Sequence, residues 1–139
     1  MKGIYVLLIE IGKSSDIQVG KQRNYHFEEG YYAYVGSALG SLEKRVARHL
    51  DTQKKLYWHI DYLLNTAVVR EVIYAETNQK KESLIAQALS KKLASKSGFG
   101  CSDCSCSSHL FFCHDFDTLR ETVLNSFDLL NLTPLKIAP

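Results

Sequence analysis

Apolar residues follow strand-like spacing in the first third of the chain. Residues 2–11 are apolar on both faces and rich in β-branched and aromatic side chains, which predicts a central strand. Shorter runs at 17–20, 25–27 and 31–35 are separated by Gly, Ser, Asn and Glu. Turn residues between β-forming runs are typical of hairpins, so this third is predicted to be an antiparallel meander.

Helical spacing begins after residue 40. Leu42, Val46 and Leu50 recur at i, i+4 and i+8, which predicts an amphipathic helix capped by Ser41. The remaining predicted elements are a helix over 56–64, a strand over 68–75, a helix over 79–93 capped by Asn78, a loop over 95–108, a strand over 109–114, and a helix capped by Asp117 that ends before Pro134. The tail beyond Pro134 is predicted to fray.

This order of elements predicts a small mixed α/β domain, with helices around a mostly antiparallel sheet. The 139 residues predict one domain, with a core over about 2–93 and a further loop, strand and helix over 95–133. A hydrophobic content of 45% and a net charge of +2 exclude a disordered or strongly basic protein. No export signal and no apolar run of membrane-spanning length are evident, so a cytoplasmic protein without a membrane partner is expected.

The stretch from Tyr31 to Leu50 combines aromatic, small and cationic residues. Tyr32 and Tyr34 share one face of the predicted strand, since side chains alternate with period two. Gly36 is placed in a tight turn before the helix. On that helix Arg45 and His49 are four residues apart, so they lie on one stripe. A hydroxyl beside an arginine and a histidine suits a phosphate group, whereas the alternative is core aromatics beside a solvated helix face.

Four possible ligands of a soft metal lie within nine residues of the late loop. They are Cys101, Cys104, Cys106 and His109. Structural zinc is usually held by two separated pairs, and this compact, irregular cluster argues against zinc. Reduced, packed thiols are the alternative expected in a protein without an export signal.

Two short motifs give the chain a family resemblance. Gly3-Ile4-Tyr5 on the first strand and Tyr34-Val35-Gly36 on a later one, followed by Arg45 and His49, resemble the GIY-YIG nuclease superfamily. Glu82 stands where that superfamily has a glutamate on a later helix. The wider pattern, including Trp58-His59-Ile60-Asp61-Tyr62, is similar to a small uncharacterised branch whose members are sometimes joined to a DNA-repair endonuclease.

The resemblance implies a three-stranded, mainly antiparallel sheet with flanking helices, and hydrolysis of phosphodiester bonds with one Mg²⁺ or Mn²⁺ ion. Tyr5 and Tyr34 would be the active-site hydroxyls, one of them a candidate general base. Arg45 would bind the scissile phosphate, His49 would assist proton transfer or orient a group, and Glu82 would hold the metal. Further candidates are Ser37 and Arg48 as phosphate contacts, and His59, Asp61, Asp103 and His109 as a second wall of the site or as buried, hydrogen-bonded residues.

The leading functional prediction is therefore a divalent-metal-dependent endonuclease acting on nucleic acid, with DNA and a DNA-repair endonuclease as expected partners. The alternative is a module on a nuclease-like fold that binds nucleic acid or protein without cutting. A small metalloprotein organised by the cysteine loop is a third hypothesis.

Overall fold

The computed structural model describes residues 1–19, 23–38, 40–51, 59–96 and 108–138. These residues form eight strands and four helices. In chain order they are β1 (Gly3–Ile11), β2 (Ser15–Val19), β3 (Arg23–Phe27), β4 (Gly30–Ala38), α1 (Leu42–Leu50), α2 (His59–Leu64), β5 (Val68–Glu76), α3 (Glu82–Ser90), β6 (Ala94–Ser95), β7 (Leu110–Cys113), α4 (Phe116–Leu129) and β8 (Leu135–Ile137).

Strand β1 lies inside a six-stranded sheet of order β6-β7-β4-β1-β5-β8. Each pair of neighbouring strands in this sheet is antiparallel. Successive side chains of β1 point to opposite faces, and both faces are covered. Tyr5 and Leu7 pack in a core with α1 and α2, whereas Ile4 and Val6 pack in a second core with α3 and α4. This two-sided burial explains the uninterrupted apolar run in the sequence.

The predicted mixed architecture with a mostly antiparallel sheet is confirmed. The three-stranded sheet is not confirmed, because β4, β1 and β5 are flanked by β7 with β6 on one side and by β8 on the other. The single meander is also wrong. Strand β1 pairs with β4 from Gly3 opposite Ala38 to Ile11 opposite Gly30, so that edge of β1 is occupied, and β2 and β3 form a separate hairpin.

Several predicted boundaries need correction. Helix α3 begins at Glu82 rather than 79 and has no side-chain cap. The Gln79 amide instead donates to the Thr77 hydroxyl at 3.2 Å, which makes a local turn. Helix α4 is capped by Asp115 and not by Asp117, since the Asp115 carboxylate accepts from the Thr118 amide at 2.9 Å. The tail predicted to fray contains β8, which pairs with β5.

Among the described residues, none of the helices combines the length and apolar character needed to cross a membrane.

Candidate functional site

Tyr5 and Tyr34 lie on the same face of the central sheet. Tyr5 is paired with Gly36, and Leu7 is paired with Tyr34, so the two phenols are diagonal neighbours across β1 and β4. Gly36 belongs to β4 and not to the predicted turn. A Cβ atom at Gly36 would stand 2.4 Å from the Tyr5 hydroxyl oxygen. The glycine therefore leaves the space that the Tyr5 phenol occupies.

Gly3, the glycine of the first motif, is required for a different steric reason. A Cβ atom at Gly3 would stand 2.2 Å from the backbone carbonyl oxygen of Ala75 on β5. Real Cβ atoms do not approach an oxygen so closely, so any side chain at Gly3 would push β5 away from β1. Both motif glycines thus allow close packing, Gly3 between β1 and β5 and Gly36 against the Tyr5 phenol.

Helix α1 covers the tyrosine face and brings its cations to it. The Ser41 hydroxyl caps the helix by accepting from the Lys44 amide at 3.2 Å, and Leu42 and Val46 are buried against the sheet, as predicted. Four residues after Arg45, the His49 ring is also buried, with 2% of its surface exposed. The helix therefore turns His49 toward the sheet, whereas Arg45 is half-buried at the same stripe.

Tyr5 and His49 form a buried hydrogen bond. The Tyr5 hydroxyl oxygen lies 2.7 Å from Nε2 of His49, and the two ring centroids are 5.2 Å apart. The Tyr34 ring meets the same imidazole edge-on, at 6.3 Å between centroids. The structure thus brings both predicted tyrosines together with the predicted histidine.

Arg45 is oriented by the end of β4. Its Nη1 atom donates to the backbone carbonyl of Ser37 at 3.1 Å. Its charge and a side-chain hydrogen bond oppose the rise that burial causes in the pKa of the Tyr5 phenol. Ser37 accordingly contributes a backbone carbonyl that positions Arg45, and its role as a phosphate contact stays a prediction.

Burial dominates the pKa of both phenols. Desolvation raises the pKa of Tyr5 to about 12, although Arg45 opposes the shift. The pKa of Tyr34 is raised as well, first by burial and then by the charges of Tyr5, Asp61 and Glu82. Both hydroxyls are therefore protonated at neutral pH. A protonated Tyr5 donates to His49 when Nε2 of the imidazole carries no hydrogen.

Glu82 acts on this site from the first turn of α3. The apolar side of α3, with Ile85 and Leu89, packs on the other face of the sheet. The half-buried Glu82 nevertheless raises the pKa of both Tyr5 and Tyr34 through its negative charge. A carboxylate within electrostatic range of the two phenols fits the position predicted for a metal ligand.

Asp61 is the residue that the sequence interpretation left unresolved. Its carboxylate on α2 has no exposed surface and accepts two bonds from Arg48, at 2.8 and 3.0 Å. The Asp61 charge also raises the pKa of Tyr5 and Tyr34. The available signal was an acid between the apolar residues Ile60 and Leu63 of a helical pattern. Arg48 thus already holds a carboxylate, and its role as a phosphate contact stays a prediction.

One family model matches residues 4–132, and its description reads "Domain of unknown function DUF123". The chain belongs to the DUF123 family. The matched range runs from β1 through α4 and contains the Tyr5–His49 pair, Arg45 and Glu82. No curated protein and no solved structure matches the chain.

Only some of the remaining predicted residues of this DUF123 domain lie in the part of the chain that the structure describes. His109 is buried beside β4, where its backbone carbonyl accepts from the Val35 amide at 2.9 Å. Cys113 on β7 is a free thiol. The second-wall and zinc predictions for other residues lie outside the described residues; they concern the side chain of His59, together with Cys101, Asp103, Cys104 and Cys106.

The part of the chain that the structure describes holds no cluster of three or more His, Cys, Asp or Glu side chains able to bind a metal. Mg²⁺ prefers oxygen ligands and keeps several waters, so one carboxylate together with substrate phosphate oxygens is a sufficient set. Glu82 meets the chemical requirement as a single, half-buried carboxylate whose charge acts on the phenols, and its role as the metal ligand stays a prediction.

Proposed function

We propose that this DUF123 domain is a divalent-metal-dependent endonuclease of the GIY-YIG type that hydrolyses phosphodiester bonds in nucleic acid, with DNA as the expected substrate. One observation carries the proposal. Tyr5 and His49 form a buried hydrogen-bonded pair with the half-buried Arg45 on one sheet face, and the charge of Glu82 acts on the phenols of Tyr5 and Tyr34. A role in DNA repair beside a separate endonuclease is part of the proposal and follows from the resemblance.

The arrangement suits each requirement of phosphodiester hydrolysis. The Arg45 guanidinium can hold two oxygens of the scissile phosphate and balance the charge that develops there. Tyr34, whose phenol stays protonated, can donate a hydrogen bond to a phosphate oxygen. These two groups bind and orient the phosphate, leaving activation of the attacking water to the Tyr5–His49 pair.

Tyr5 can pass a proton without becoming a free phenolate. A phenol with a pKa of about 12 is a weak base at neutral pH, and a free tyrosinate is therefore a poor starting state. The hydrogen bond to His49 offers another route. The Tyr5 oxygen accepts the proton of the attacking water while the Tyr5 hydroxyl proton moves to Nε2 of His49, 2.7 Å away. His49 then holds the former hydroxyl proton of Tyr5, and Tyr5 remains a neutral phenol that carries the proton from the water.

Glu82 would hold the Mg²⁺ or Mn²⁺ ion, which supplies positive charge to the phosphate and the leaving oxygen when bound. The carboxylate's own contribution is its placement at the start of α3, from which its charge acts on Tyr5 and Tyr34.

The test is cleavage of plasmid DNA and of structured oligonucleotides with Mg²⁺ or Mn²⁺, compared with the same reactions in excess chelator. Arg45→Lys keeps a positive charge but loses the planar fork, and we expect about a hundredfold slower cleavage. Arg70→Lys is the matched control, because Arg70 pairs with Glu10 at the opposite end of β1. Equal rates for the two variants would contradict the proposed phosphate site.

The non-catalytic alternative predicts a different result in the same cleavage experiment. If the wild-type domain binds DNA or RNA but cleaves none of the substrates with either metal, the site is a binding module built on a nuclease-like fold. The burial of Tyr5, with 2% of its surface exposed, is the observation that favours this alternative.

A further inference from the structure

The Asp61 carboxylate is buried in an apolar setting. Its neighbours Ile60 and Leu63 on α2 have no exposed surface, and Asp61 has none either. A buried carboxylate is stable only when it is paired and hydrogen-bonded. Arg48 satisfies both carboxylate oxygens, through Nη1 at 2.8 Å and Nη2 at 3.0 Å. Two parallel bonds fix the direction of the guanidinium as well as its distance.

Arg48 lies on α1 next to His49, so the fixed direction of its guanidinium affects the candidate site. It precedes His49 and follows Arg45 by three residues, so these three residues lie close together on one nine-residue helix. The apolar contacts of α1 with the sheet come mainly from Leu42 and Val46. The bond to α2 is a directional restraint on the rotation of α1 about its axis, which apolar packing alone does not provide.

We propose that Asp61 is a positioning residue of the tyrosine site: by holding Arg48 it sets the rotation of α1 and thereby keeps His49 against Tyr5. Its meaning for catalysis rests on the proposed function, whereas its effect on the Tyr5–His49 pair does not. Arg48 accordingly stays with Asp61 when nucleic acid binds, because breaking two hydrogen bonds to a buried carboxylate is costly. The substrate phosphate is left to Arg45.

The decisive measurement is the NMR signal of the His49 ring nitrogens, which reports the hydrogen bond to Tyr5 without any need for cleavage. The ring is assigned with His49→Gln, and Tyr5→Phe defines the signal without the bond. Asp61→Asn keeps the side-chain shape and removes the charge, and we expect it to move the His49 signal toward that of Tyr5→Phe.

Glu71→Gln is the matched control. Glu71 on β5 forms an ion pair with Arg120 of α4 at 2.8 Å, so its loss also removes a partly buried ion pair, though one that does not involve α1. This variant should leave the His49 signal unchanged. If Asp61→Asn lowers the thermal midpoint as Glu71→Gln does and leaves the His49 signal in place, the role of Asp61 is structural only and the inference is overturned.

A second variant keeps the test open if Asp61→Asn does not fold. Arg48→Lys leaves Asp61 a cationic partner but offers one point charge in place of two directed bonds, and it should shift the His49 signal in the same direction. An unshifted signal in folded Arg48→Lys would overturn the inference.

If the wild type cleaves, Asp61→Asn should lower kcat by roughly tenfold or more with little change in KM, since misplacement affects the transition state. Absence of cleavage by the wild type removes the proposed function and leaves the NMR result to decide on Asp61.

Discussion

At the residue scale, the Tyr5 phenol occupies space that the missing side chain of Gly36 leaves open. Gly36→Ala would place a Cβ atom 2.4 Å from the Tyr5 hydroxyl oxygen, inside any permitted contact distance. The phenol must move away from His49, and we expect a loss of about 1–3 kcal/mol in the free energy of unfolding, measured by urea titration. Gly12→Ala is the control, because a Cβ atom there meets nothing within 4 Å. A neutral effect of Gly36→Ala would contradict the close packing of Tyr5 on β4.

The raised pKa of Tyr5 predicts a loss of stability in alkaline solution. The folded protein holds the phenol proton up to a pKa of about 12, whereas the unfolded chain releases it near the ordinary tyrosine pKa of about 10. The contribution of Tyr5 is therefore complete below pH 10 and is lost as the pH rises toward 12. Between these values one such group changes the free energy of unfolding by up to about 1.4 kcal/mol per pH unit.

Urea titrations at several pH values from 9 to 12 measure this slope. Tyr5→Phe cannot ionise at this position, so its slope should be shallower than that of the wild type by about one proton. Identical slopes would show that Tyr5 ionises alike in the folded and unfolded states.

The structure brings the motif residues together, as their spacing predicts, whereas the sequence leaves two interpretations of Asp61 open. Tyr5, Tyr34, Arg45 and His49 come from two contiguous motifs and one helical stripe, so local spacing was enough to bring them together. The Arg48–Asp61 pair joins two helices across a segment between them, and no local pattern indicates which buried acid meets which arginine. Tertiary contact alone reveals that pair.

At the scale of elements, Glu82 at the start of α3 is expected both to stabilise the helix and to hold the metal. Glu82→Gln removes a carboxylate from the first turn, where a negative charge stabilises a helix by about 0.3–1 kcal/mol. We therefore expect a small drop in thermal stability together with loss of Mg²⁺-dependent cleavage. Glu121→Gln, on the exposed side of α4, controls for the change of net charge. Wild-type cleavage by Glu82→Gln in Mg²⁺ would exclude Glu82 as the metal ligand.

Long elements with clear periodicity were predictable from sequence, and short ones were not. Strand β1 is apolar on both faces and α1 has a cap and an apolar stripe, so their positions follow from local pattern. Strands β6 and β8 have two and three residues, all of them exposed, and exist because β7 and β5 offer free edges to pair with. A sequence pattern of that length carries no strand signal.

For the whole molecule, charge distribution limits how strongly nucleic acid can bind. The net charge is +2, and the expected phosphate contacts come from Lys44 and Arg45 on α1, with Lys54 and Lys55 in the segment that follows. We expect weak binding with little sequence preference, and an affinity that falls as salt rises, because each phosphate contact releases a counterion. Fluorescence anisotropy at several salt concentrations gives the slope. No binding even at low salt would favour a protein-docking role instead.

The central position of β1 makes it the part of the molecule expected to unfold last. Its backbone is paired on both edges, with β4 and with β5, and both its faces are buried, so its amides should be the last to exchange with deuterium. Arg45 and Glu82 belong instead to nine-residue helices that pack on the sheet from outside. Such helices can detach in sub-global openings while the sheet persists. The site would then come apart and reassemble around a Tyr5 that stays in place, and loss of activity in mild denaturant would precede global unfolding.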